Sequence, residues 1–348
     1  MSALAPGQGL THDGVASLAG RGLGAMNSAF DAGCVRIQVQ CDGARVVAAQ
    51  VVSQRPQVAR VLKGRQADAA AKLVPLVFSL CARAQGVAAR LALAAARGDE
   101  SWPRLDPDIV REVMREHLWR WLLDLPVLLG MPPLRDQFTS VVRAVDAGHG
   151  ETVQALLATP ELTRLIESIM ALEQPVQQAS ALLHIDSAQS SLTDWPRLGD
   201  ELCHTPTWRG QATETGAYAR SAGTPLSING VFAARWLARL SELEAWARGA
   251  QGIGAGGTAS ATPVAPGVGR ALVETARGLL MHEVVLEGER VADYRIVAPT
   301  EWNFHPEGPL SGWLIGRHCS DAAELRRFAA HAVAALDPCV RWELTLES

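Results

Sequence analysis

The sequence has few cysteines for its length, and no two of them form the closely spaced pair C-x-x-C. Six cysteines are spread over 348 residues: Cys34, Cys41, Cys81, Cys203, Cys319 and Cys339. Zinc ribbons, thioredoxin-like redox pairs and iron–sulfur cluster motifs need closely spaced thiolates, so the spacing excludes these classes. Six cysteines in so long a chain also do not make a disulfide scaffold. Any metal would have to be held by residues far apart in sequence.

Uninterrupted hydrophobic runs and blocks of like charge are absent too. The first residues lack both a basic and an apolar signal region, and the most apolar stretch is broken by Lys72, Pro75, Arg83 and Arg90. The 32 basic and 36 acidic residues give a net charge of -4 and form no long basic or acidic run. We therefore expect a soluble, cytoplasmic protein that binds neither membrane nor nucleic acid.

Common catalytic motifs are missing as well. Gly252, Gly254 and Gly257 satisfy G-x-G-x-x-G, but they follow a predicted helix and precede none, so a dinucleotide would find no helix end for its phosphates. The phosphate-binding G-x-x-x-x-G-K-[ST], the serine-hydrolase G-x-S-x-G and the zinc-protease H-E-x-x-H do not occur. Dinucleotide, nucleoside triphosphate, serine-hydrolase and zinc-protease chemistry are therefore not expected.

Hydrophobic periodicity predicts a mainly α protein with small antiparallel β hairpins, in one domain over residues 1–348. The hairpins are predicted at 35–52, turning at Asp42-Gly43, and at 279–299, turning at 287–289. Helices are predicted at 67–97 with Pro75 near the first turn, at 106–130 ending before Pro126, and at 134–147, 151–170, 174–183, 228–249 and 320–336, the last capped by Ser320. The domain then divides into the N-terminal hairpin, a helical body at 67–249, a flexible loop at 250–267, and a C-terminal part at 268–348.

Three motifs near the C-terminus resemble the large subunit of nickel–iron hydrogenases. "ETARGLLMH" (274–282), "PTEWN" (299–303) and "DPC" (337–339) follow the order of that family's E-A-P-R-G-x-x-x-H, P-T/S-x-W-N and D-P-C-x-x-C-x-x-H. The helix 67–97 resembles the one that carries the family's R-I-C-G-x-C-x-x-x-H, and the hairpin 35–52 resembles its first hairpin. The resemblance implies a truncated large-subunit-like fold.

The metal-ligand motifs of that family are only half present. Four thiolates hold nickel in the family, and two of them also bridge to an iron with cyanide and carbon monoxide ligands. By resemblance, Cys81 and Cys339 stand at the terminal positions, while Ala84 and Trp342 stand at the bridging ones. The bulk of Trp342 is expected near the missing metal, and Ala32 replaces the glutamate that relays protons. These departures imply that the chain holds no nickel and is not an enzyme.

The part that surrounds the iron ligands is better preserved. In the family, an arginine and a Pro-Thr/Ser pair donate hydrogen bonds to the cyanides, which accept but cannot donate. Arg277, Pro299 and Thr300 occupy those positions here, although Ala276 replaces the proline before the arginine. The resemblance thus implies a site for Fe(CN)2(CO), with Cys81 and Cys339 as metal ligands and Arg277, Pro299 and Thr300 as the cyanide pocket.

This combination is similar to a narrower group, the HupK/HoxV-type accessory proteins of hydrogenase maturation. The resemblance implies a scaffold that holds the iron unit transiently before its transfer to the apo large subunit. It also implies contact with a HypC-type chaperone and a HypD-type maturation protein. Catalytic large subunits carry a removable extension after the last motif, and only residues 340–348 follow Cys339 here, so no such processing is expected.

Simpler alternatives remain open from the residues alone. Both cysteines could be core residues, Arg277 could pair with Glu274 or Glu283, and Thr300 could cap a turn. At the level of function, the chain could be a metal-free mimic of the large subunit that organises maturation partners by protein contacts. A third hypothesis, a redox enzyme cycling a Cys81–Cys339 disulfide, ranks last because neither thiol has a C-x-x-C partner to activate it.

Overall fold

A computed structural model describes residues 33–55, 58–99, 106–175, 181–183, 195–221, 230–250 and 259–347. The helices are α1 (Ala67–Val77), α2 (Ala82–Ala96), α3 (Pro107–Trp119), α4 (Leu125–Leu128), α5 (Arg135–Ala147), α6 (Gly150–Leu157), α7 (Pro160–Met170), α8 (Asp200–His204), α9 (Ala217–Arg220), α10 (Val231–Ala247), α11 (Pro299–Asn303), α12 (Pro309–Leu314) and α13 (Ala322–Leu336). The strands are β1 (Cys34–Cys41), β2 (Val46–Gln54), β3 (Ala181–Leu182), β4 (Thr207–Trp208), β5 (Gln211–Glu214), β6 (Ala259–Ala265), β7 (Val268–Thr275), β8 (Gly278–Glu287), β9 (Arg290–Val297) and β10 (Arg341–Glu347).

The strands form three sheets. An antiparallel sheet runs in the order β6-β7-β8-β9, and a second sheet has the order β10-β1-β2. In the second sheet β1 pairs antiparallel with β2 but parallel with β10, so the two ends of the described chain meet in one sheet. Three short strands form the third sheet, in the order β3-β5-β4. The predicted mixture of helices and antiparallel strands is confirmed.

The largest core lies where α2 packs on the four-stranded sheet. The alanines along α2 are almost all buried, and their small side chains let the helix backbone come close to β7. All residues of β7 are buried, which is the pattern of a strand covered on both faces. This packing places the start of α2 near the turn between β7 and β8.

A second core joins the sheet of β1, β2 and β10 to α13. Val35, Ile37 and Val39 alternate inward along β1 and pack with Phe328 and other residues of α13. The side chain of Trp342 on β10 packs against this core. The bulk of Trp342 therefore helps to attach β10 to this core, and its expected place near the missing metal stays a prediction.

The predicted helix 67–97 is wrong in one respect, because it is two helices. α1 ends at Val77, a 3-10 turn covers Ser79–Cys81, and α2 begins at Ala82. Pro75 lies in the last turn of α1 instead of its first turn. Since proline has no N–H to donate to the preceding turn, it weakens the helix where the break follows. The break brings Cys81 to the start of α2.

The predicted end before Pro126 is also wrong, since the helical path continues through it. Residues Arg120–Asp124 form a π-helical turn after α3, in which the Leu125 N–H reaches back to the Arg120 carbonyl. Pro126 then sits in the first turn of α4, where its missing N–H is tolerated. This π-helical turn orients the Arg120 side chain towards the site described below.

Three further predictions need correction. The stretch 250–267 was predicted as a loop, but residues Ala259–Ala265 form β6 because they pair with β7 along most of their length. The predicted helix 174–183 is wrong at Ala181–Leu182, which pair as a strand with β5. The cap of α13 is Asp321 instead of Ser320, since the Asp321 carboxylate accepts from the backbone N–H groups of residues 323 and 324.

Some sequence features lie outside the described residues, among them Ala32 and the glycines at 252, 254 and 257. The hairpin predicted at 279–299 is present as β8 and β9, joined at Gly288, although it belongs to a larger sheet. Across the ranges that the structure describes, no helix has the length and apolar character needed to cross a membrane.

Candidate functional site

Cys81 lies at the junction between the 3-10 turn and α2. Its Sγ accepts a hydrogen bond from Gln85 Nε2 at 3.7 Å, one helical turn later. Gln85 is itself held by His282, whose Nε2 lies 2.9 Å from Gln85 Oε1 and whose Nδ1 lies 2.8 Å from the Tyr294 hydroxyl. A chain of buried polar contacts from β8 and β9 therefore orients the Gln85 side chain beside Cys81.

The Glu112 carboxylate of α3 caps the N-terminus of α2. It accepts from the backbone N–H groups of Arg83 at 2.8 Å and Ala84 at 3.1 Å. Ala84, which by resemblance stands at a bridging-thiolate position, is fully buried in the largest core. Burial, then the charges of Cys339 and Glu112, raise the pKa of Cys81 to about 12, against an opposing effect of Arg277. Cys81 is therefore a thiol at neutral pH.

Cys339 is held by two groups from distant parts of the chain. Its backbone N–H donates to Thr300 Oγ1 at 3.2 Å, and its Sγ lies 3.0 Å from the same hydroxyl. Arg55, just after β2, donates from Nη2 to the sulfur. Burial alone would lower the pKa of Arg55, but Cys339 and Glu301 raise it above its ordinary value. A buried guanidinium is thus fixed as a cation beside the thiol.

Glu301 connects Arg55 to the backbone that carries Pro299 and Thr300. One carboxylate oxygen accepts from the Ala298 N–H at 3.0 Å, which closes the N-terminus of α11, and the other lies 3.2 Å from Arg55 Nε. Pro299 is buried at the first position of α11, where the fixed ring suits the start of a helix. The short helix therefore presents Thr300 to Cys339 in a fixed orientation.

Arg277 occupies the turn between β7 and β8. Its Nη2 donates to Glu116 of α3 at 2.8 Å, and its Nε lies 3.3 Å from Asp337 Oδ1. The alternative pairing with Glu274 or Glu283 is wrong, because those carboxylates pair with other arginines. Nη1 of Arg277 has no hydrogen-bond partner within the described ranges. One donor of the predicted cyanide-pocket arginine therefore remains available.

Asp337 anchors the C-terminal motif between the buried Arg277 and the half-buried Arg120. It ends α13 in a left-handed conformation (φ 56°), and its carboxylate lies 2.7 Å from Arg120 Nη2 and 3.3 Å from Arg277 Nε. Burial alone would raise the pKa of Asp337, but Arg120 and Arg277 hold it well below its usual value. The charge of Asp337 thus fixes the turn that leads to Cys339.

Asn303 ties three segments of the site together. Its Oδ1 accepts from the Thr215 N–H at 2.8 Å, and its Nδ2 donates to the carbonyls of Arg277 at 3.0 Å and Leu336 at 3.4 Å. Gly278 (φ 127°) is required beside it, since a Cβ there would lie 1.9 Å from Thr215 Oγ1. The last residue of the "PTEWN" motif therefore positions the Arg277 turn against the end of α13.

The site brings together four of the five predicted residues. Cys81, Cys339 and Arg277 influence one another electrostatically, and Thr300 contacts Cys339 directly. Pro299 contributes through the backbone of α11. No hydrogen bond between described residues joins it to either thiol. Among the described residues, no group of three or more His, Cys, Asp or Glu side chains is arranged to hold a metal ion. The site therefore provides two thiols together with cationic and hydroxyl hydrogen-bond donors.

Sequence reasoning missed several charged residues of the site: Arg55, Glu112, Glu116, Arg120, Glu301 and Asp337. Asp337 and Glu301 lie inside the quoted motifs, so the motifs themselves carried a signal for them. Arg55 follows the first hairpin, and Arg120 depends on the π-helical turn, which periodicity does not reveal. Local patterns could not show that these distant charges converge.

Replacement of Thr300 by valine tests the link between α11 and Cys339. The change keeps the volume but removes the acceptor of the part-buried Cys339 N–H, so we expect the free energy of unfolding to fall by about 1–3 kcal/mol. Thr300→Ser, which keeps the hydroxyl, is the matched control and should lose less. Urea denaturation of the three proteins measures the difference, and equal stability of the valine and serine variants would show that the hydroxyl contributes nothing.

Comparison with known proteins agrees with this architecture. The family described as "Nickel-dependent hydrogenase" matches residues 233–341. The NiFeSe hydrogenase of Desulfomicrobium baculatum superposes with a TM-score of 0.56 at 15% identity, over 86% of this chain and 94% of that one. This likeness confirms the predicted large-subunit-like fold.

Two curated relatives are more similar in sequence. Hydrogenase expression/formation protein HoxV of Cupriavidus necator is 33% identical over 83% of this chain and 91% of its own length. Hydrogenase expression/formation protein HupK of Rhizobium leguminosarum bv. viciae is 33% identical over 92% of this chain and 98% of its own length. The chain belongs to the HupK/HoxV family of hydrogenase expression/formation proteins, whose fold is that of the nickel–iron hydrogenase large subunit.

Proposed function

We propose that this protein is a non-catalytic cytoplasmic scaffold of hydrogenase maturation, with Fe(CN)2(CO) as its transient cargo. Cys81 and Cys339 would bind the iron, and no nickel would be bound. The observation that carries the proposal is the convergence of the two thiols with Arg55, Arg277 and Thr300 from five separate segments. Family membership supports a role in hydrogenase maturation in general.

The donors around the thiols suit a cargo rich in hydrogen-bond acceptors. Cyanide nitrogens accept but cannot donate. Nη1 of Arg277, which no described residue accepts from, and the cation of Arg55 would supply charge-assisted bonds. Thr300 adds a hydroxyl and Pro299 fixes the backbone that carries it. These groups would recognise the ligands of the iron, while the two sulfurs would hold the metal.

Two thiolates favour release over permanent storage. Metal binding requires deprotonated ligands, so iron uptake would displace the proton that Cys81 carries at neutral pH, and this lowers the net affinity. A site with half the thiolates of a nickel–iron centre would therefore bind less firmly. That property fits a carrier that receives the unit from HypC-type and HypD-type maturation proteins and passes it to the apo large subunit.

A metal-free mimic of the large subunit is the second candidate function. The observation that favours it is the lack, within the described part of the chain, of any group of three metal-ligating side chains. Such a protein would organise the same partners by surface contacts alone, and its two site cysteines would be dispensable.

Complementation separates the two functions. In cells that lack their own copy, we expect Cys81→Ala and Cys339→Ala to reduce hydrogenase activity to the background of the empty vector. Cys319→Ala is the matched control, because this half-buried thiol packs in the second core, and it should restore activity. Co-purification of the HypC-type chaperone with each variant shows whether the surface is intact. Full activity of both site variants would contradict the scaffold and support the mimic.

A further inference from the structure

A cavity of about 370 Å³ opens next to the candidate site. Arg55 and Glu301 form the wall that it shares with the site, and Phe78, three residues before Cys81, also lines it. Its volume is within the range of about 300–1,000 Å³ that is usual for small-molecule sites. The cavity therefore offers room for a small species directly beside the contacts of Cys339.

Cationic side chains dominate the cavity. Arg60 and Lys63, which flank the end of the 3-10 turn Val58–Leu62, are exposed and form no ion pair with the part of the chain that is described. Arg295 is already paired with Asp293 at 2.8 Å. Arg60 and Lys63 thus add two positive charges that no described residue pairs with, and such a surface attracts anions.

Arg55 separates the cavity from the thiol. Its Nε lies 3.2 Å from Glu301 Oε1 and its Nη2 contacts Cys339 Sγ. The same guanidinium therefore borders the cavity and the thiol. The side chain of Arg55 is 17% exposed and Cys339 is half-buried. A small species in the cavity would therefore lie against the same guanidinium that contacts the sulfur.

We infer that this cavity is the access route to Cys339 and that Arg60 and Lys63 make it selective for anionic, acceptor-rich small species. A cyanide-bearing iron unit held by thiolates belongs to this chemical class. The inference rests on the proposed function only for the identity of the cargo. The selectivity itself is a property of the apoprotein and is testable without iron.

The test compares two disulfide reagents on the reduced protein under anaerobic conditions. One reagent is the dianion 5,5′-dithiobis(2-nitrobenzoate) and the other is the neutral 4,4′-dithiodipyridine. In each case the Cys339 thiolate attacks the reagent's S–S bond, a mixed disulfide forms, and one aryl thiolate leaves. Peptide mass spectrometry follows the labelling of Cys339 separately from that of the other cysteines, and Cys203→Ala removes the thiol that also lines the cavity.

Charge reversal at the rim should slow only the anionic reagent. For the double variant Arg60→Glu, Lys63→Glu we expect about a 5- to 10-fold lower labelling rate at low salt, falling to less than about 2-fold at 0.5 M salt. The neutral reagent should change by less than about 2-fold. Lys72→Glu with Arg143→Glu is the matched control, because both residues are exposed, outside the cavity and equal in charge change.

A second variant tests access to Cys339 without changing the charge of the cavity. Ala59 lines the cavity, and Ala59→Phe should slow both reagents by about 5-fold because it fills part of the space. Equal slowing in the control pair, or unchanged rates in both cavity variants, would overturn the inference. Selective labelling in a protein that shows no iron-bound cyanide would retain the access route and refute the proposed cargo, so the two failures are distinguishable.

Discussion

Replacement of Asp337 by asparagine is expected to lower the free energy of unfolding by about 3–5 kcal/mol, although the side chain keeps its size. The carboxylate is 2% exposed and compensates the buried charges of Arg120 and Arg277. Glu116 and Asp124 would still pair with the two arginines, but the buried carboxylate between the cations would be lost. Loss of a buried partner is much more costly than loss of an exposed pair. Urea denaturation at pH 7 measures the effect.

The matched control is Asp68→Asn, which removes an exposed carboxylate from its pair with Arg97. Exposed pairs contribute little, so this variant should lose less than about 1 kcal/mol. A loss at Asp337 no larger than that at Asp68 would show that the buried cluster does not depend on this charge.

The difference between wild type and Asp337→Asn should also depend on pH. The arginines hold the folded-state pKa of Asp337 below its unfolded value, so the charge contributes fully above about pH 4. As the pH falls below that value towards the folded-state pKa, the wild type takes up a proton and its advantage shrinks. A difference that stays constant from pH 6 to pH 2.5 would contradict the assigned pKa shift.

Replacement of Gly269 by alanine is expected to cost about 3 kcal/mol or more, or to prevent folding. A Cβ at this position of β7 would lie 2.0 Å from the Ala92 carbonyl oxygen and 2.2 Å from the Ala96 nitrogen. These are backbone atoms of α2, so the whole helix would have to move away from the sheet. Because α2 begins beside Cys81, the displacement would also shift that thiol from Arg277.

Gly199→Ala is the control for Gly269→Ala, since an added Cβ there meets no atom within 4 Å. Thermal unfolding of both variants, followed by circular dichroism, gives the comparison. An alanine at position 269 that leaves the midpoint within about 2 °C of wild type would show that α2 and β7 are less closely packed than described.

The helices and the hairpins near the site could be predicted from periodicity, but the sites of interruption could not. Pro75 was predicted near the start of a helix but lies in the last turn of α1, because whether a proline begins or ends a helix depends on packing against β-strands far along the sequence. Similarly, β6 has the small and polar residues of a loop and becomes a strand because β7 offers it a partner. Tertiary contacts decide such segments.

The candidate site was predicted through the resemblance, not through spacing. Cys81 and Cys339 are 258 positions apart, and no local pattern connects them. The converging charges of Arg55, Arg120 and Asp337 appear only in three dimensions, because each comes from a different element. The motifs identified segments that contribute to the site. The arrangement of the charged side chains between these segments follows from the fold.

Infrared spectroscopy tests the two-thiolate scaffold most directly. Protein purified anaerobically from cells with an active maturation system should show the stretching bands of metal-bound cyanide and carbon monoxide. Both bands should be absent from Cys81→Ala and Cys339→Ala and present in the Cys319→Ala control. Their absence from the wild-type protein, or their survival in both site variants, would contradict the account and leave the metal-free mimic as the function of this chain.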